Sequence, residues 1–264
     1  GGGILRYSYC DPAFIIGTPM TAARPLKDWA AISSQNRWQG VIFTGEEDAR
    51  IVPIVRPKDN RVALNAQWSV QSKGSLITQK LKHHRGGAEM IVWMSNDGLS
   101  VPVEEEGIVF VEAENAYAAI KVVKGGFQWR QTPFIAIDGQ KNRRSTREGK
   151  TMILNEEYAP VILEVMAKSD VRSFDAFKTM VKACRFRMNG PVLEYKTICG
   201  DRITLDTRFE KTPTINGKPV NYAPKKVFES PFLNANWNSG IVTITKGDRK
   251  KVLNFESGNS AQRK

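Results

Sequence analysis

"GIVFVEAENAYAAIKVV", Gly107 to Val123, decides the fold. Two apolar runs of strand length flank Glu114-Asn115, a polar pair suited to a turn. The stretch reads as a β-hairpin, and its neighbours repeat the pattern. "VLEYKTI" and "RITLDTRFE" flank "CGD", Cys199 to Asp201. "TINGKPV" carries Asn216-Gly217, a pair that favours a two-residue turn because both positions need positive φ. "AEMIVWMSNDGL" is a strand that ends in Asn96-Asp97-Gly98, and "GIVTITKGDRKKVLNF" turns at Gly247-Asp248. "TMILNEEYAPVILEVM" supplies two more strands. Helical periodicity is confined to "SFDAFKTMVKAC", where Ser173 can cap and Phe174, Phe177, Val181 and Cys184 share one face.

About fifteen or more short strands follow from these signals. One helix cannot cover a parallel sheet, so the sheets are antiparallel. The expected fold is all-β: a large, supersandwich-like antiparallel sandwich of two extended sheets, with one short helix near residues 173–184. The sandwich is expected over residues 11–256, with any subdomain break near 170–185. Residues 1–10, "GGGILRYSYC", read as a junction or fragment boundary, and residues 257–264 as a disordered tail.

Composition narrows the function classes. The chain has 264 residues, 41% hydrophobic and 25% charged, as a soluble globular protein has. It contains no apolar run long enough to span a membrane as a helix and no recognisable signal peptide. Cys10, Cys184 and Cys199 are widely spaced and read as ordinary thiols. With two histidines, a multi-histidine metal centre is excluded, and no cofactor motif is present. Glu104, Glu105 and Glu106 read as a solvated turn, because consecutive carboxylates on a strand do not converge on a cation. The net charge of +12 suits a polyanionic partner or serves solubility alone. The basic run "KNRRSTREGK", Lys141 to Lys150, has no aromatic and no apolar face and reads as an exposed loop. Nucleic acid is disfavoured, since there is no aromatic-basic face, recognition helix or known motif.

Several stretches together resemble one group of proteins: "YSYCDPAFIIGT", "ISSQNRWQGVIF", "GGFQW", "EEYAPVILEV" and "TPTINGKPV…ESPFLNANWNSGIVTI". In pattern and order, from about Tyr7 to Phe255, the chain resembles the C-terminal β-sandwich of heparinase-like and alginate-lyase-like polysaccharide lyases. Those proteins pair an (α/α) toroid with an antiparallel sandwich. The resemblance implies β-elimination on an acidic, uronate-containing polysaccharide. It also implies an α-toroid partner in the same or a parent protein, a secreted or periplasmic location, and little activity for this chain alone. In such proteins the sandwich contributes a histidine, and sometimes a tyrosine, to the cleft.

The candidate residues follow. "LKHHRGG" holds His83 and His84, whose pKa range suits proton transfer. Strand alternation would point them to opposite sides, and a plain hairpin tip explains them equally well. Tyr117 is a candidate acid or base, or else a core aromatic. "SSQNRWQG" offers Gln35, Asn36 and Arg37 for sugar hydroxyls or a carboxylate, with Trp38 as a stacking face. Arg85 joins them as a carboxylate partner, and "NANWNSG" offers Trp237. The alternative is a sandwich that binds carbohydrate without chemistry, or packs the parts of a larger protein.

Overall fold

The computed structural model describes residues 6–19, 39–47, 49–57, 67–81, 88–133, 148–222, 227–230, 232–236 and 239–255. The chain divides into two compact units, a larger one of Arg6–Tyr222 and a smaller one that includes Ala223–Lys264.

Strands are numbered in chain order. In the larger unit, the first sheet runs β1 (Arg6–Asp11), β2 (Phe14–Pro19), β3 (Gly40–Phe43), β4 (Arg50–Pro57), β7 (Ala88–Ser95), β12 (Glu148–Leu154), β11 (Phe127–Pro133). The second runs β5 (Gln67–Ser72), β6 (Ser75–Lys80), β13 (Val161–Ala167), β10 (Ala116–Val122), β9 (Ile108–Glu112), β8 (Val103–Glu105). A third runs β14 (Phe186–Asn189), β15 (Val192–Lys196), β16 (Arg202–Asp206), β17 (Thr214–Ile215), β18 (Lys218–Pro219). The pairings described are antiparallel. The smaller unit carries a four-stranded sheet, β19 (Val227–Ser230), β20 (Leu233–Asn236), β21 (Ile241–Lys246) and β22 (Arg249–Asn254).

The main core lies between the first two sheets. Phe14, Ile16, Ile51, Met94 and Met152 of the first meet Leu76, Val111, Ala118, Ile120 and Leu163 of the second. The second sheet is covered on its other face as well. Val70, Ile77 and Ile162 pack on Leu193, Tyr195, Ile203 and Leu205 of the third sheet. Ile108, Phe110, Tyr117 and Ala119 pack on Phe177 and Val181 of α1 (Phe174–Ala183). Strand β10 is therefore buried on both faces, which is why Ala116–Ile120 is an unbroken apolar run rather than an alternation, with Lys121 buried next to it. Fully burying Phe177 and Val181 stabilises the helix on this sheet by about 1.5–3 kcal/mol each.

The all-β antiparallel sandwich with one short α-helix is the fold observed among the described residues, with two sheets added to the two expected: a third in the larger unit and the four-stranded sheet of the smaller. The hairpin of β15 and β16 has an apolar face of its own, which needs cover. Helix α1 starts where the sequence places it, with the Ser173 side chain accepting from Ala176 N at 3.1 Å. Asn216 and Gly217 take φ of 51° and 77°, the geometry that the pair favours. The segment near 170–185 is this packed helix, and the division between compact units falls after Tyr222. Half of the segment read as a junction is strand, since Arg6–Asp11 pairs along its length with β2. Residues 257–264 lie outside the described residues.

Candidate cleft at the sandwich edge

The register of the first sheet builds a site at its edge. Phe127 lies opposite Leu154, Trp129 opposite Met152, and Gln131 opposite Lys150. Lys150 also lies opposite Met94. Met94, Met152 and Leu154 face the core, so Phe127, Trp129 and Lys150 share that inner face. Phe127 packs against the core. Trp129, two residues further along the edge strand, is 36% exposed. Gly149 permits the close approach of β12 to β7, because a Cβ there would lie 2.3 Å from Trp93 Nε1.

A cleft of about 310 Å3 opens at this point, with Met94 and Val111 at its base. Asn96, Ser100, Val101, Pro102 and Lys150 line it. An adjoining hollow of about 290 Å3 shares Val101, Pro102 and Lys150 and adds Glu104, Trp129 and Arg130. These volumes sit near the lower end of small-ligand pockets.

The polar groups are arranged for binding. Trp129 Nε1 donates to Glu104 Oε1. Its ring meets Phe127 edge-on, with centroids 5.4 Å apart and planes at 88°. Both contacts hold the indole in one orientation. Arg130 reaches Glu89 at 3.7 Å. The Lys150 ammonium makes no hydrogen bond or ion pair among the described residues, whereas Asn96 Oδ1 is buried with no hydrogen-bond partner. A buried orphan acceptor is costly unless a ligand or water donates to it. Together the groups offer a cation for an anionic substituent, an acceptor for a hydroxyl and an aromatic face. Among the described lining residues there is no histidine or cysteine.

The sequence candidates fall elsewhere. Tyr117 is 7% exposed and faces α1, stacked on Phe174 at 5.1 Å and on Phe177 at 5.6 Å. Lys168 Nζ sits 5.2 Å from its ring centre. The phenol is thus on the far side of the second sheet from the cleft. His83, His84 and Arg85 lie outside the described residues, as do Gln35, Asn36, Arg37, Trp38 and Trp237. The strands flanking "LKHHRGG" belong to different sheets, β6 to the second and β7 to the first. Strands β6 and β7 therefore do not pair with each other. Gln39, next to the "SSQNRW" candidates, is fully buried; its Oε1 accepts from Ser69 Oγ at 3.1 Å, and its Nε2 donates to the Pro53 carbonyl.

Two expectations are corrected. The acidic triple is not a free turn: Glu104 holds Trp129, Glu105 pairs with Lys178 at 2.9 Å and Lys182 at 2.8 Å, and Glu106 pairs with Lys182 at 3.0 Å. These helix contacts hold the Glu105 carboxyl below the usual carboxylate range. The basic run is not wholly a loop, since Glu148, Gly149 and Lys150 begin β12.

A second polar cluster is sealed away from the cleft. Glu164 on β13 is fully buried, accepting from Ser75 Oγ at 2.5 Å and from Ile198 N at 3.4 Å. Burial pushes its carboxyl up to about 7, against the pull of Ser75, Tyr195, Ile198 N and Lys121. Lys121 Nζ donates to the Val181 carbonyl at 2.7 Å and to that of Cys184, and lies 5.2 Å from the centre of the Tyr195 ring. Glu164, Lys121 and Tyr195 are all buried.

Trp129, Lys150 and Asn96 were not singled out by sequence. The alternation of "FQW" on one strand face marks Trp129, but nothing local marks Asn96, whose orphan oxygen arises from packing alone. Comparison of the chain with protein-family models, with curated proteins and with solved structures found no match.

Proposed function

We propose that this chain is the sandwich module of a polysaccharide-lyase-like protein and that it holds acidic, uronate-containing polysaccharide in the cleft between β8 and β11. The observation that carries the reading is the buried, unpartnered Asn96 Oδ1 in a cleft with Lys150, beside the held face of Trp129. Lys150 neutralises a uronate carboxylate, with Arg130 alongside. Asn96 accepts from a ring hydroxyl, and Trp129 covers the apolar face of the sugar. The resemblance stated above supports the substrate class, and the charge of +12 agrees with it.

In β-elimination, a base removes the proton next to the carboxylate. The electron pair left on carbon forms the double bond as the glycosidic C–O bond breaks, and an acid protonates the leaving oxygen. Neutralising the carboxylate makes the first step feasible. His83 or His84 is the proposed proton-transfer partner, with Arg37 and Arg85 near the carboxylate. An α-toroid supplies the rest of the cleft.

Binding to acidic and neutral polysaccharides, measured by calorimetry at low and high salt, tests the proposal. Lys150→Ala is expected to weaken binding to the acidic ligand about tenfold, and Trp129→Ala by at least as much. Unchanged affinity in both variants rejects the cleft. A second reading, carbohydrate binding without chemistry, is favoured by the lack of histidine among the described lining residues. Full lyase activity of the parent protein carrying His83→Ala and His84→Ala would select it.

A further inference from the structure

Val101, Pro102 and Glu104 form one wall of the cleft, and no side chain from 101 to 105 is buried. Apolar packing therefore does little to fix this wall. Strand β8 stands at the end of its sheet and pairs with β9 over three residues. What else holds it in place is polar.

The register of that pairing sends neighbouring acids to opposite faces. Glu104 lies opposite Val109, which faces the main core, and Glu105 lies opposite Ile108, which faces α1. On the cleft face, Glu104 accepts from Trp129 Nε1. On the helix face, Glu105 Oε1 meets Lys178 Nζ at 2.9 Å and Glu105 Oε2 meets Lys182 Nζ at 2.8 Å. Lys182 also reaches Glu106 at 3.0 Å, in the turn that follows β8.

Helix periodicity puts the two lysines where this strand needs them. Phe177 and Val181 are buried against β9 and β10. Lys178 and Lys182 each come one residue later, four apart on the same side of α1, and reach past that contact to the edge strand. A single exposed ion pair contributes little to stability. Here one carboxylate takes an ammonium on each oxygen, and none of the three side chains is more than 30% exposed. The strand is thus gripped from both faces, by α1 through Glu105 and by the indole through Glu104.

We propose that Lys178 and Lys182 are positioning residues for the cleft: by fixing Glu105 they hold β8, and through Glu104 the indole of Trp129, in the binding arrangement. The role rests on the reading of the cleft as a polysaccharide site. It makes α1, on the other face of the second sheet, a determinant of affinity.

Two variants break the tie from its two ends: Lys178→Gln with Lys182→Gln, and Glu105→Gln alone. They change the net charge in opposite directions, so the sign of their effect separates positioning from simple attraction of a polyanion. The first readout is calorimetry with alginate as the uronate polymer. The second is nuclear magnetic resonance of the indole N–H groups, which needs no ligand. The chain has six tryptophans, and Trp129→Phe identifies the resonance that belongs to the cleft. Affinity for alginate is expected to fall about fivefold in both variants, and exchange of the Trp129 indole proton with solvent to quicken about fivefold. Combining the three substitutions is expected to add nothing, because each variant already removes the same coupling. Weaker binding in the lysine variant with tighter binding in Glu105→Gln means that charge alone acts, and overturns the proposal. Indole exchange unmoved in both variants overturns it too. Failure of the unmodified chain to bind alginate rejects the cleft reading and this role together, whereas binding that both variants retain in full rejects the role alone.

Discussion

Glu164 is the residue at which pH acts on this fold. Its folded value of about 7 lies above the ordinary 4.5, so the folded state binds the proton more tightly than the unfolded chain. Its contribution to stability is therefore fully present below pH 4.5 and is lost as pH rises through 7. The groups facing it are Ser75, Tyr195, the Ile198 amide and Lys121, with Cys184 and Cys199 nearby. Tyr195 Oη lies beside the carboxylate and, after Ser75, pulls its value down against burial. The loss amounts to about 3 kcal/mol over the whole window. Glu164→Gln keeps the shape and removes the titration. Urea unfolding at pH 5 and pH 8 should show the parent losing about 2–3 kcal/mol relative to the variant. Parallel pH profiles would show that the carboxylate is solvated or ionised throughout.

Helix α1 depends on a lysine that belongs to another element. Its C-terminal carbonyls at Val181 and Cys184 accept from Lys121 of β10, which satisfies groups that a helix end leaves open. Burial pushes the Lys121 ammonium down, and these acceptors with Glu164 nearby offset that cost. Lys121→Met retains the buried stem but removes the donor to the Cys184 carbonyl and one of the two to the Val181 carbonyl, which keeps Cys184 N at 3.1 Å, for an expected loss of about 1–3 kcal/mol in thermal or urea unfolding. An unchanged midpoint would mean that water replaces the ammonium. At the β17–β18 turn, Asn216 is held by more than its left-handed φ. Its Oδ1 accepts from Arg202 N and its Nδ2 donates to Asp201 Oδ1, both at 2.8 Å. Asp201 also accepts from Ser72 Oγ at 2.7 Å, which ties the third sheet to the β5–β6 turn. Asn216→Ala should cost about 1–2 kcal/mol, measured in the same way.

For the whole molecule, what the sequence made legible was local. The hairpins around Glu114-Asn115, Asn216-Gly217 and Gly247-Asp248, and the helix capped by Ser173, follow from turn chemistry and periodicity within a dozen residues. The layering did not follow, because "VLEYK" does not state which face of which sheet will cover Leu193 and Tyr195. The cleft was hidden for the same reason: Asn96, Glu104, Trp129 and Lys150 meet only when the edges of two sheets are brought together. Tyr117 and the histidines drew notice as chemically versatile residue types, yet Tyr117 serves packing against α1. The described apolar side chains of all three buried layers come from residues 13–205, within the larger unit. That unit accordingly contains its own folding cooperativity. A chain ending at Tyr222 is expected to unfold in a single thermal transition, followed by circular dichroism. The midpoint of that chain should still fall with Lys121→Met. Loss of a cooperative transition on truncation would show instead that the core from Ala13 to Leu205 is not sufficient for folding.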